Sequence, residues 1–191
     1  MNKALHPASH SSLVIRYSSL GRHSMDKSIL YIVGFMGAGK TSVGSRLAQR
    51  LHWRFADLDQ KIEERAGESI REIFRREGER FFRRLETEEL RRVSAEEQLV
   101  VALGGGAFCS PENQEIVRST GISVWIDAPL EVLFSRCECD GSRPLFTSRR
   151  DMAELHARRR PFYEMADLRC EAAGLDIEQV TAGVLGLLAS K

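Results

Sequence analysis

From Ser28 onward, short runs of consecutive apolar residues alternate with longer amphipathic segments, the arrangement expected of a parallel sheet covered by helices on both faces. ILYIVG (29–34) reads as a buried first strand. The segment Lys40 to Leu51 carries Val43, Leu47, Ala48 and Leu51 at helical spacing and reads as the helix that follows. A short strand over Arg54 to Asp57, a charged helical stretch from about Leu58 to Ser94, and a second buried run, LVVAL (99–103), come next. ISVWID (122–127) supplies another strand. Helices fit Pro111 to Ser119, Pro129 to Cys137, Asp151 to Met165 and Ile177 to Ala189, with Pro111 and Pro129 near first-turn positions where proline is tolerated. A fifth strand near Leu168 to Cys170 is the weakest element, because DLRCEAAGLD is poor in β-branched residues. The pattern predicts an α/β fold of three layers around a five-stranded parallel sheet.

Composition changes this picture little. The 191 residues suit one domain with its own core. With 28 Lys and Arg against 27 Asp and Glu, no global field exists to draw in nucleic acid or an anionic membrane, so anion binding must be local. Cys109, Cys137, Cys139 and Cys170 lack the paired spacing of a zinc site and are expected as free thiols in a reducing compartment. No apolar run approaches the roughly 20 residues that span a bilayer. Residues 1–27 form an extension outside the domain at 28–191 and are expected to be disordered. The first 25 residues hold no acidic residue, several Ser and His, and Arg16 and Arg22. That composition is compatible with an organelle transit peptide, here a plastid one. Because Met25 directly precedes DKSILYIVG, an upstream extension or start-site artefact is the preferred reading, with the protein cytoplasmic.

Chemistry enters at GFMGAGKT (34–41). Gly34, Gly39, Lys40 and Thr41 satisfy GxxxxGK[ST], directly after a buried strand and opening a helix, where a phosphate-binding loop must sit. Gly37 and Gly39 free backbone N–H groups to face phosphate oxygens, Lys40 reaches the β and γ phosphates, and Thr41 ligates Mg²⁺. Asp57 and Asp59 flank Leu58 at the carboxyl edge of the second strand, where ligands of open α/β sheets bind. In an extended segment both carboxylates face the same way. One is then available for hydrated Mg²⁺ and the other for a substrate hydroxyl, against the plainer reading of a helix N-cap. Gly104, Gly105 and Gly106 end LVVAL and let a ligand lie on the backbone, although a tight turn explains one or two of them. Arg83 in FFRRLE, Arg143 in GSRPLF and Arg159 in RRRPFY are candidates for binding a carboxylate or phosphoryl group, in a chain whose arginines are otherwise surface residues.

The order GFMGAGKTSVG, FADLD, GESIREIF, GERFFRRLE, VVALGGGAF, SRPLF and RRPFYEMA resembles the shikimate kinase family over roughly residues 28–170. The resemblance implies a P-loop NTPase fold with added substrate-binding helices and a mobile lid over about 137–150, with ATP and Mg²⁺ required. It implies transfer of the ATP γ-phosphoryl group to the 3-hydroxyl of shikimate, in aromatic amino-acid biosynthesis. Nucleotide would be held by Gly37, Ala38, Gly39, Lys40, Thr41, Ser42, Arg136 and Arg143. Arg136 resembles the family position that stacks on adenine, and Arg143 would close over the phosphates. Asp59 would hold the shikimate hydroxyls and orient or deprotonate the attacking one, Arg83 and Arg159 would clamp the carboxylate, and Gly104, Gly105 and Gly106 would complete the pocket. Lys40, Arg143 and Asp59 carry the catalytic roles; Thr41 and Asp57 act at Mg²⁺, the latter through water. Glu86, three residues after Arg83, looks like the residue that orients it.

Cys137, Glu138, Cys139 and Asp140 depart from a more basic lid in many relatives, and the segment after Ala166 leaves the adenine side least defined. Other expectations are a monomer with no nucleic-acid or membrane partner. Rival readings are a gluconate or nucleoside monophosphate kinase of the same architecture, and a catalytically silent relative that binds nucleotide.

Overall fold

The computed structural model describes residues 29–138 and 148–190. Five strands form one all-parallel sheet: β1 (Ile29–Val33), β2 (Arg54–Asp57), β3 (Leu99–Ala102), β4 (Ile122–Asp127) and β5 (Leu168–Glu171), in the spatial order β2-β3-β1-β4-β5. The helices are α1 (Lys40–Leu51), α2 (Leu58–Ala66), α3 (Ile70–Glu77), α4 (Glu79–Val93), α5 (Pro111–Thr120), α6 (Leu130–Glu138), α7 (Arg149–Tyr163) and α8 (Ile177–Ala189), with a 3-10 turn at Ala107–Cys109. The predicted sheet is thus present in full. All of β1 and β3 is buried, as a central strand covered on both faces requires. The doubtful β5 is an edge strand in which only Cys170 is buried, so it needs no β-branched run.

The charged stretch after Asp57 is broken into three helices. Gly67 (φ 70°) ends α2, and Gly78 (φ 80°) separates α3 from α4. Ser69 starts α3 with a capping box, accepting from Glu72 N while the Glu72 carboxylate accepts from Ser69 N. These breaks fold the segment back so that α4 can reach the sheet's carboxyl edge.

Register decides what meets there. Ile32 of β1 pairs with Ala102 of β3, and Asp57 of β2 pairs with the same Ala102. Two residues beyond that shared row the chain reaches Gly34, Gly104 and Asp59. Neighbours of β1 on its two sides, β3 and β4, lead away in opposite directions, which makes the edge at β1 a topological switch point. The N-terminal extension and most of the expected lid, including Cys139, Asp140 and Arg143, lie outside the described residues. Among the described residues no helix is long and apolar enough to cross a membrane.

Deep beneath this edge the fully buried Tyr31 ties β1 to two helix ends, its hydroxyl 2.7 Å from both Ser94 Oγ and Thr120 Oγ1. Thr120 also donates to Ile116 O, but Ser94 depends on the tyrosine. Tyr31→Phe should therefore lower stability by about 1–2 kcal/mol, since it strands a buried hydroxyl. For a chain of this size that is a fall in Tm of roughly 2–8 °C, measurable by calorimetry. An unchanged Tm would show that the hydroxyl network contributes nothing net.

Candidate active site

The loop leaving β1 is shaped by glycine. Gly34 has φ 138°, and a Cβ there would lie 2.8 Å from Ile126 O of β4, so only a bare backbone passes. Gly39 (φ 91°) is the N-cap of α1 and offers no side chain to the helix's first N–H groups. Those donors and the helix dipole are left for an anion. Val43, Gly44, Leu47 and Ala48 bury the opposite face of α1 and fix its N-terminus beside the loop. Ala38 is buried within the loop, while Thr41 and Ser42 face outward at the first turn. Lys40 Nζ donates to Phe35 O at 2.9 Å, curled along the loop. At the far rim, Arg136 of α6 donates to Gly37 O at 3.1 Å, and a Cβ on Gly37 would stand 3.0 Å from Cys137 Sγ.

Asp57 serves as cap and site residue together. One carboxylate oxygen accepts from Asp59 N at 3.1 Å and Gln60 N at 3.4 Å, closing the N-terminus of α2. The other accepts from Thr41 Oγ1 at 2.6 Å, joining β2 to the phosphate loop. The extended geometry expected for the pair is corrected here: the strand ends at Asp57, and Asp59 stands in the first turn of α2. The helix turn aims Asp59 at β3. A Cβ on Gly104 would lie 2.4 Å from Asp59 Oδ1 and 3.2 Å from Glu86 Oε1.

Each of the three glycines faces a different member of the site. Where Gly104 meets Asp59, a Cβ on Gly105 would come 3.4 Å from Arg159 Nη1, and one on Gly106 would come 2.7 Å from both terminal nitrogens of Arg83. A turn alone explains none of this; the bare backbone is what lets a carboxylate and two guanidinium groups converge. Arg83 donates from Nη1 to both oxygens of Glu86, at 3.0 and 2.9 Å, and from Nε and Nη2 to Glu79. Glu86 is 1 % exposed, and burial pushes its carboxyl up to about 7 against the pull of Arg83, with Asp59 adding repulsion. Tyr163 was not among the candidate residues, although RRPFYEMA contains it; its buried hydroxyl donates to Gly105 O and stands beside Arg159. Burial raises the Tyr163 phenol and keeps it a neutral donor. Cys109 also borders Arg159 and Arg83, and burial holds its thiol above the ordinary value.

A cradle for phosphate stands shoulder to shoulder with an acid and two arginines on one sheet edge, which is the equipment of phosphoryl transfer between two bound molecules. The fold and site define a P-loop small-molecule kinase. A family-wide sequence profile described as "Shikimate kinase" matches residues 36–188, and the chain belongs to the shikimate kinase family. Among curated relatives, the shikimate kinase of Persephonella marina is 41% identical over 82% of this chain and 96% of its own length. That of Geobacter metallireducens is 46% identical over 82% and 89%. The solved shikimate kinase from Acinetobacter baumannii, in complex with shikimate, superposes with a TM-score of 0.82 at 36% identity, covering 86% of this chain and 94% of that one.

The buried Glu86 generates a pH expectation. Between 4.5 and about 7 the folded protein keeps a proton that the unfolded chain has released. Its contribution to stability is therefore fully present below pH 4.5 and lost as the pH rises through 7. The hold on Arg83 runs the other way, because only the ionised carboxylate binds the guanidinium with full charge. The KM for the acceptor should rise about 3- to 10-fold from pH 8 to pH 6 with an inflection near 7. Glu86→Gln should flatten that profile. A wild-type profile without this inflection, or a variant that keeps it, would remove Glu86 from the clamp.

Proposed function

We propose that the chain is a shikimate kinase in action as well as in family, transferring the γ-phosphoryl group of ATP to the 3-hydroxyl of shikimate to give shikimate 3-phosphate and ADP. The observation that carries this reading is the convergence of Asp59, Arg159 and Arg83 on the backbone of Gly104, Gly105 and Gly106, beside the phosphate loop. A carboxylated polyol accounts for all of these groups at once: the guanidinium groups take the carboxylate and Asp59 takes hydroxyls. A nucleotide acceptor would leave the paired arginines and the acid without a common partner.

In this mechanism the loop N–H groups from Gly37 to Ser42 hold the β and γ phosphates. Lys40 leaves Phe35 O to neutralise charge that develops on the transferring group. Asp59 accepts the hydrogen bond of the attacking hydroxyl, holds it in line and receives its proton as the O–P bond forms. Arg83, fixed by Glu86, and Arg159 hold the far end of the ring, so that binding energy orients the near end. Arg136, resting on Gly37 O, borders the side from which adenine would approach.

Thr41 and Asp57 fit Mg²⁺ in chemistry: both donors are oxygen, and they already meet at 2.6 Å. No group of three or more His, Cys, Asp or Glu side chains gathers to hold a metal among the described residues. Thr41 would hold the cation and Asp57 would act on it through water. Once bound, Mg²⁺ supplies charge neutralisation at the β and γ phosphates. A reducing, cytoplasmic setting is the location that goes with this reading. The reaction belongs to the route to aromatic amino acids.

Coupled ADP release measured with ATP, Mg²⁺ and a panel of shikimate, gluconate and nucleoside monophosphates should give turnover with shikimate alone. Turnover confined to another acceptor would refute the substrate and leave the kinase. Asp59→Asn should lower kcat by about 10²–10⁴-fold with nucleotide affinity nearly intact. Lys40→Ala should lower kcat by about 10²–10³-fold through lost charge stabilisation. Near-normal turnover in either variant would remove that residue from the mechanism.

A further inference from the structure

The two arginines of the acceptor clamp are held by different means. Arg83 is locked by two carboxylates, Glu86 and Glu79. Arg159 makes no ion pair with a carboxylate among the described residues; its guanidinium carbon lies 5.9 Å from the centroid of the Phe35 ring, and the Tyr163 hydroxyl stands beside it. Phe35 is itself 2 % exposed, and His156, three residues before Arg159 on α7, meets its ring edge-on at 5.2 Å and 79°. An aromatic face orients a cation without forming an ion pair with it, which leaves the Arg159 guanidinium placed to meet an anion.

Phe35 also belongs to the phosphate loop, and its carbonyl accepts from Lys40 Nζ. One residue therefore touches both halves of the site, through different atoms. We infer that Phe35 is a positioning residue for the acceptor: its ring, buttressed by His156, fixes Arg159 against Gly105, so that the phosphate loop itself sets the carboxylate clamp. This rests on the reading of Arg159 as a clamp for an anionic acceptor.

Because the ring faces Arg159 while the carbonyl faces Lys40, removing the ring separates the two roles. Phe35→Leu keeps an apolar side chain and the carbonyl. It should raise the KM for shikimate about 5- to 10-fold while the KM for ATP moves by less than about twofold. His156→Ala, at a half-buried position outside the binding groups, should raise the shikimate KM about 2- to 3-fold in the same direction and serves if the first variant folds poorly. In a cycle with Arg159→Lys, the double variant's rise in KM should be smaller than the product of the single effects. A merely structural role would lift both KM values together or give multiplicative effects, and either result overturns the inference, as does an unchanged shikimate KM in both single variants. Wild type is run first on the acceptor panel. If it prefers another carboxylated acceptor, the substrate reading fails while the same KM comparison on that acceptor still decides the role of Phe35; if it turns over no acceptor, both fall together.

Discussion

The site depends on how closely the backbone after β3 is approached by charged side chains. At Gly104, Gly105 and Gly106 the groups that press on the chain are Asp59, Arg159 and Arg83, at distances a Cβ would occupy or crowd. Like and unlike charges are brought together there, each with its own support. Arg83 has its carboxylates, Arg159 its aromatic support, and Gly105 O accepts from Tyr163. A side chain at Gly104 or Gly106 would push a charged group out of place, whereas one at Gly105 would come into contact with Arg159. The convergence is thus a property of missing atoms as much as of present ones.

The parallel sheet supplies the second constraint. Because Ile32, Asp57 and Ala102 share one row of the sheet, the chain turns off β1, β2 and β3 at the same level. The glycine-rich loop after β1, Asp59 and the backbone after β3 are then set by strand register rather than by flexible loops. This accounts for the double use of Asp57, whose two oxygens close a helix N-terminus and meet the phosphate-loop threonine. It also explains why Phe35 can reach from the glycine-rich loop to Arg159 without leaving the core.

Much of this was legible in the sequence because the relevant signals are local. Buried strands announce themselves as apolar runs, and GxxxxGK[ST] after such a run has one structural meaning. Three glycines in succession exceed what a turn requires. The readings that changed were those that depended on where the chain bends. An extended Asp57–Asp59 pair became a strand end and a helix turn, and the long charged segment became three helices at Gly67 and Gly78. The edge strand β5 looked weak because an edge needs few β-branched residues.

What the sequence by itself determined is the fold class, the phosphate loop and the inventory of candidate acids, arginines and glycines, since periodicity and short motifs encode local backbone geometry. What only the tertiary structure decided is partnership. It showed which glycine faces which charge, that Glu86 is buried against Arg83 and Asp59, that Tyr163 holds Gly105, and that Phe35 lies under Arg159. Arg83 and Glu86 are neighbours on α4 and were legible from their spacing, but the other pairs are separated by tens of residues, and a linear pattern carries no information about distances created when one helix is laid across the end of a sheet.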